Sequence, residues 1–92
     1  DDAYYFMGQV QEGLQKPQAA LDYFKKASQS GNFTKEATTR AATLIAKQTN
    51  LEEARKWLQA ALKKVDKPDA QADILLAEAQ LLFDSLMQEY FG

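Results

Sequence analysis

One outline occurs twice in this chain, 34 residues apart, and nothing else in it restricts the possible folds as strongly. Residues 3–27, AYYFMGQVQEGLQKPQAALDYFKKA, read as two amphipathic helices joined by a short turn at Gln15-Lys16-Pro17. Residues 36–61 repeat that outline in weaker form. Ala20 is matched by Ala54, Phe24 by Leu58 and Ala27 by Ala61; Gly8 is matched by Ala42, Tyr23 by Trp57 and Asn32 by Asp66. Self-similarity at such a period points to stacked units, each too small to bury its own apolar face.

The spacing predicts a first helix over about 2–14. Asp1 and Asp2 place negative charge at its N-terminus, which the helix dipole favours. Tyr4, Met7, Gly8, Gln11 and Leu14 fall on one face, while Tyr5, Phe6 and Val10 form a second apolar strip. Gly8 inside a helix suggests close packing by a neighbour. Pro17 suits the first position of a second helix, where its missing N–H costs nothing. That helix is expected to run to about Ser28 and to bury Ala20, Leu21, Phe24 and Ala27, with Tyr23 beside them. Ser30-Gly31-Asn32 reads as its stop, with Gly31 as a left-handed cap.

A third helix is expected over about 34–48, capped by Asn32 or Thr34, with Ala37, Ala41, Ala42, Leu44 and Ile45 on its apolar side. Asn50 caps a fourth, with Glu53 at the reciprocal position of a capping box; Ala54, Trp57, Leu58, Ala61 and Leu62 follow at helical spacing. Asp66-Lys67-Pro68 is a break. From Asp69 to Phe91 there is neither Gly nor Pro, and Ala72, Leu75, Leu76, Ala79, Leu82, Phe83, Leu86, Met87 and Tyr90 recur without interruption. This reads as one long helix. The alternative is a turn at Asp84-Ser85, with Ser85 and Gln88 as cap and partner.

The repeat resembles the tetratricopeptide family in its period, its paired helices and its aromatic and small residues. Tyr4 stands where that family has an aromatic, Met7 where it has Leu, and Gly8 where it has Gly or Ala; Ala20, Phe24 and Ala27 fill the second-helix positions. Gln11 and Asn32 depart from its pattern. The second unit keeps Ala42, Ala54, Leu58 and Ala61, but has Thr38 and Ala41 in place of the aromatic and the Leu. Leu75 continues the series, whereas Leu76 replaces a small residue, so the third unit is either a capping helix or a divergent repeat. The resemblance implies an all-α fold of antiparallel helical hairpins stacked as a solenoid, with five helices and the last one long. One domain over 1–92 would comprise repeats at about 1–33 and 34–67 and a terminal segment at 68–92. The competing expectation is an ordinary five-helix bundle.

In that family the first helix of each repeat lines a concave groove that binds peptides. The resemblance therefore implies groove candidates Asp2, Tyr5, Gln9 and Glu12 from the first unit, and Glu36, Thr39, Arg40 and Thr43 from the second. Tyr5 would be a flat anchor, Gln9 a backbone partner and Arg40 a carboxylate holder. The same positions also suit plain solvated helix. The branch that grips chaperone C-terminal carboxylates is not implied, because Tyr5 and Gln9 occupy the places of its Lys and Asn.

The expected function is a scaffold or adaptor binding a protein or peptide; the alternative is a structural module that self-associates through its apolar ends. Tyr4, Tyr5 and Phe6 suit either a seam for a neighbouring repeat or a homodimer surface. A small-ligand site between the helices would need a dry pocket. The family's habits suggest a bacterial cytoplasmic or, more readily, cell-envelope setting. The start at Asp1 and the apolar-rich end read as those of a fragment of a longer protein.

Catalysis is not expected. The chain has no His and no Cys, which removes imidazole and thiolate chemistry, disulfides and the usual zinc ligands. Glu52 and Glu53 are adjacent and point to different parts of a helix. Neither a Gly-rich phosphate loop nor a nucleophile motif occurs. No cofactor or metal is expected. Eleven basic and thirteen acidic residues are interspersed, without the basic stripe that nucleic-acid binding needs. No apolar run is long enough to span a bilayer.

Overall fold

The computed structural model describes residues 2–29 and 31–91. Its helices are α1 (Asp2–Gly13), α2 (Pro17–Ala27), α3 (Thr34–Gln48), α4 (Leu51–Lys64) and α5 (Pro68–Phe91). No strand occurs among the described residues. α1 packs on α2, α2 on α3 and α3 on α4, while α5 lies against both α4 and α3. Together they make a slab of 38 × 35 × 16 Å. The protein is therefore all-helical, and the terminal segment is one unbroken helix without a turn at Asp84-Ser85.

Local chemistry explains the breaks. Pro17 opens α2 and Pro68 opens α5, where a missing N–H is harmless. α1 closes with the bond pattern of a Schellman motif: Lys16 N–H donates to the Gln11 carbonyl at 2.9 Å, and Gln15 N–H to the Glu12 carbonyl at 3.0 Å. The left-handed residue in this turn is Gln15, at φ 60°. Asn50 caps α4 as expected, its Oδ1 accepting from Glu53 N–H at 2.8 Å. The Glu53 carboxylate instead faces Lys56 Nζ at 3.5 Å, so the reciprocal half of the capping box is replaced by an ion pair.

Two expected caps are corrected. Gly31 has a left-handed φ of 98°, but α2 already ends at a right-handed Ser28, whose Oγ donates to the Lys25 carbonyl. Gly31 therefore turns the chain toward α3. Neither Asn32 nor Thr34 caps α3; Phe33 holds that position without a side-chain bond. Asn32 is drawn elsewhere, to Asp2. The expectations placed on Asp1 and Ser30 lie outside the described residues.

The core follows the paired positions. Phe24 of α2 and Leu58 of α4 are the largest fully buried side chains, and burying each contributes about 1.5–3 kcal/mol. Ala20, Ala37, Ala41, Ala42 and Ala54 have no exposed surface, so the helices approach closely around those two anchors. Trp57 ties α4 to its neighbours: its indole N–H donates to the Thr38 carbonyl at 3.0 Å, and Lys25 Nζ lies 5.9 Å from the ring centre.

α1 buries a different strip from the expected one. Tyr5 and Gly8 are buried, whereas Tyr4, Met7 and Leu14 are exposed. α2 and the turn before α3 cover only one side of α1, and Tyr5 stacks there on Phe33 at 4.5 Å, nearly parallel. α5 shows the same rotation. Ile74, Ala77 and Leu81 face the core, while Leu75, Leu76, Leu82, Phe83, Leu86 and Tyr90 of the expected stripe are exposed. At about 1.5 Å per residue α5 outreaches α4 by about 15 Å, so its final turns run past the helix they would pack on.

Candidate binding face

α1, α3 and α5 contribute side chains to one open face of the slab. A shallow depression there is lined by Tyr5, Lys35, Glu36, Thr39, Arg40, Asp73, Leu76 and Ala77. Alternate helices of the chain thus meet at this depression.

Arg40 is the centre of its polarity. Its Nε donates to the Tyr5 hydroxyl at 3.2 Å, and its Nη1 meets Glu12 Oε1 at 3.1 Å. The guanidinium also lies 5.8 Å from the Tyr5 ring centre and 5.9 Å from that of Phe24, within range of cation–π attraction. Arg40 is therefore held in place while its side chain remains 43% exposed. Its ion pair with Glu12 occupies part of the fork that an incoming carboxylate would use. Lys35 and Asp73 form a second exchangeable pair at 3.5 Å across α3 and α5.

The remaining candidates divide by what they already hold. Tyr5 is too buried to serve as an open anchor; only its hydroxyl end reaches the face, in the grip of Arg40. Asp2 is occupied at the far end of α1, where Oδ1 accepts from Asn32 N–H at 2.8 Å and Oδ2 from Asn32 Nδ2 at 2.9 Å. These bonds, the backbone one first, hold its carboxyl below the ordinary value of 3.8. Thr39 and Thr43 turn their hydroxyls back to the Lys35 and Thr39 carbonyls of their own helix. Gln9 is half-buried on α1, and Glu36 is half-buried within the depression. The structure thus brings Tyr5, Glu36, Thr39 and Arg40 together, joins Glu12 to Arg40, and separates Asp2 from the set.

Sequence reasoning missed Lys35, Asp73, Leu76 and Ala77. The repeat itself held the signal for two of them, because the 34-residue shift carries Thr39 to Asp73 and Thr43 to Ala77. A more enclosed hollow lies between α3, α4 and the start of α5, lined among others by Thr38, Trp57, Ala61, Val65 and Ile74. No cluster of acidic residues suited to a metal ion occurs among the described residues. No described helix is long and apolar enough to cross a membrane.

Comparison with known proteins returns no matching family model, no matching curated protein and no matching solved structure.

Proposed function

We propose that this chain is a tetratricopeptide-like interaction module whose α1–α3–α5 face binds an extended peptide or a protein segment. The observation that carries the reading is the depression built jointly by those three helices around Arg40. Its chemistry suits a mixed ligand: Leu76 and Ala77 offer apolar contact, and Arg40 and Lys35 offer charge to a carboxylate that displaces Glu12 or Asp73.

The internal correspondence supports the family assignment. α2 and α4 begin 34 residues apart, at Pro17 and Leu51, and so do α3 and α5, at Thr34 and Pro68. Ala20 and Ala54 are equally buried, as are Phe24 and Leu58. Gly8 lies against Phe24, and its counterpart Ala42 is completely buried. A solenoid of stacked hairpins accounts for these pairs through one repeated packing rule.

Affinity capture from a bacterial lysate tests the binding face, using wild type beside an Arg40→Ala, Leu76→Glu double variant. Both side chains are exposed, so the variant keeps its helical circular dichroism. A partner held by wild type and lost with the folded variant is the expected result. Equal capture by both proteins would reject this face. The exposed Phe6, Val10 and Leu14 on α1 favour a second reading, self-association through the ends, which sedimentation would reveal as a dimer surviving dilution.

A further inference from the structure

The outer face of α5 carries a chemistry of its own. Taking about 100° per residue, Leu75, Leu82, Leu86, Tyr90, Phe83 and Leu76 fall within one broad arc opposite Ile74, Ala77 and Leu81. All six are exposed, Leu86 at 59% and Tyr90 at 79%. An apolar arc of this breadth, running along one helix, has the form of a docking surface.

Charge narrows the occupant. α5 carries Asp69, Asp73, Glu78, Asp84 and Glu89, and not one Lys or Arg. On the same count Glu78 and Glu89 border the arc beside Leu82, three turns apart, while Asp73 and Asp84 lie on the opposite flank, between Leu76 and the buried Ala77. Asp73 is paired with Lys35, and Glu78 with Arg55 at 3.3 Å. Asp84 accepts only from neutral Gln80, and neither Asp84 nor Glu89 has a cation partner among the described residues. A second copy joined through this face would bring Asp84 and Glu89 against the same two carboxylates, with no cation of α5 between them. An anionic lipid surface would be repelled in the same way.

We propose that the α5 outer face docks an amphipathic helix of a partner protein, with an apolar stripe seated on Leu75, Leu82 and Leu86 and Lys or Arg residues flanking it. Helix-against-helix docking uses anchors at three- and four-residue spacing, which Leu75, Ala79, Leu82 and Leu86 match. The flanking cations select the partner by meeting Asp84 and Glu89, while like charges there are rejected. This surface adjoins the depression around Arg40 at Leu76 and Asp73, while its anchors Leu75, Leu82 and Leu86 lie outside that depression.

The test uses two fluorescent 18-residue helical peptides with one leucine stripe, flanked by lysines in one and glutamates in the other. The full chain is expected to bind the lysine peptide at least tenfold more tightly by anisotropy in low salt. Asp84→Lys with Glu89→Lys should reverse that preference, and Leu82→Ser with Leu86→Ser should abolish binding of either peptide. Arg40→Ala should leave the affinities unchanged, which separates this surface from the groove. Equal affinity for the two peptides, a preference that survives the charge reversal, binding that survives the Leu variants, or a dimer of the chain occupying the face would each overturn the proposal.

Discussion

Gly8 and Phe24 are fitted to each other: a β-carbon at Gly8 would lie 2.6 Å from Cε1 of the Phe24 ring. That ring is completely buried and has no open side to retreat to. Gly8→Ala is therefore expected to lower the urea midpoint. Overpacking costs about 1–3 kcal/mol, against a helix-propensity gain of about 1 kcal/mol. Gly13→Ala is the control. Nothing lies within 4 Å of a β-carbon there, so the propensity gain should appear as a raised midpoint. Equal stabilisation by both changes would show that the ring can move aside.

The turn after α1 contains a second, opposite opportunity. Gln15 holds a φ of 60°, which disfavours L side chains by about 1–2 kcal/mol and leaves glycine unstrained. Gln15→Gly should stabilise the protein by about 0.5–1 kcal/mol after the added unfolded-state entropy of glycine is subtracted. Thermal unfolding monitored at 222 nm reads this directly, and a lowered melting temperature would contradict the strain.

Ala54 of α4 has no exposed surface. Ala54→Leu is expected to destabilise by about 1–3 kcal/mol through overpacking. A change of only a few tenths in a denaturant titration would mean that this helix contact has slack.

The Asp2–Asn32 contact predicts a response to acid. The Asp2 carboxyl is held below 3.8 by accepting from the Asn32 backbone first and side chain second. A carboxyl lowered on folding contributes stability above its unfolded value and loses it as pH falls through the folded one. The Asn32 amide proton resonance should therefore shift with a midpoint below 3.8, and Asp2→Asn should remove that titration. A midpoint at or above 3.8 would mean that the bonds do not form in solution.

What could be read from the sequence was local. Pro17, Pro68 and the Asn50–Glu53 cap mark their boundaries by rules that act over a few residues, and the structure places helices there. Ala54 and Leu58 were legible because α4 is apolar on one side only. Tyr5 was not, because residues 3–7 of α1 are apolar all round and periodicity cannot choose among them. Only the later approach of Phe33 decides which ring is covered. α5 posed the same ambiguity, with Ile74, Ala77 and Leu81 outnumbered by larger residues on the other side. Asn32 failed as a cap for a non-local reason: its partner is 30 residues away. The candidate face was half legible. Arg40 and Glu36 stood out by position, whereas the ion pair that restrains Arg40 joins helices whose adjacency no spacing rule supplies.

α3 touches every other helix: α2, α4 and α5 along its length, and α1 through the Arg40–Tyr5 bond. The slab consequently has a middle and two margins. Opening fluctuations that release α1 or the tip of α5 leave α3 sheltered, while no fluctuation can expose α3 without dismantling what surrounds it. Amide protons of Ala41, Ala42 and Leu44 should then exchange with deuterium at the rate of global unfolding, and those of the final turns of α5 many times faster. Protection would fall away on both sides of residue 42, so the helix that carries Arg40 is the last to dissolve.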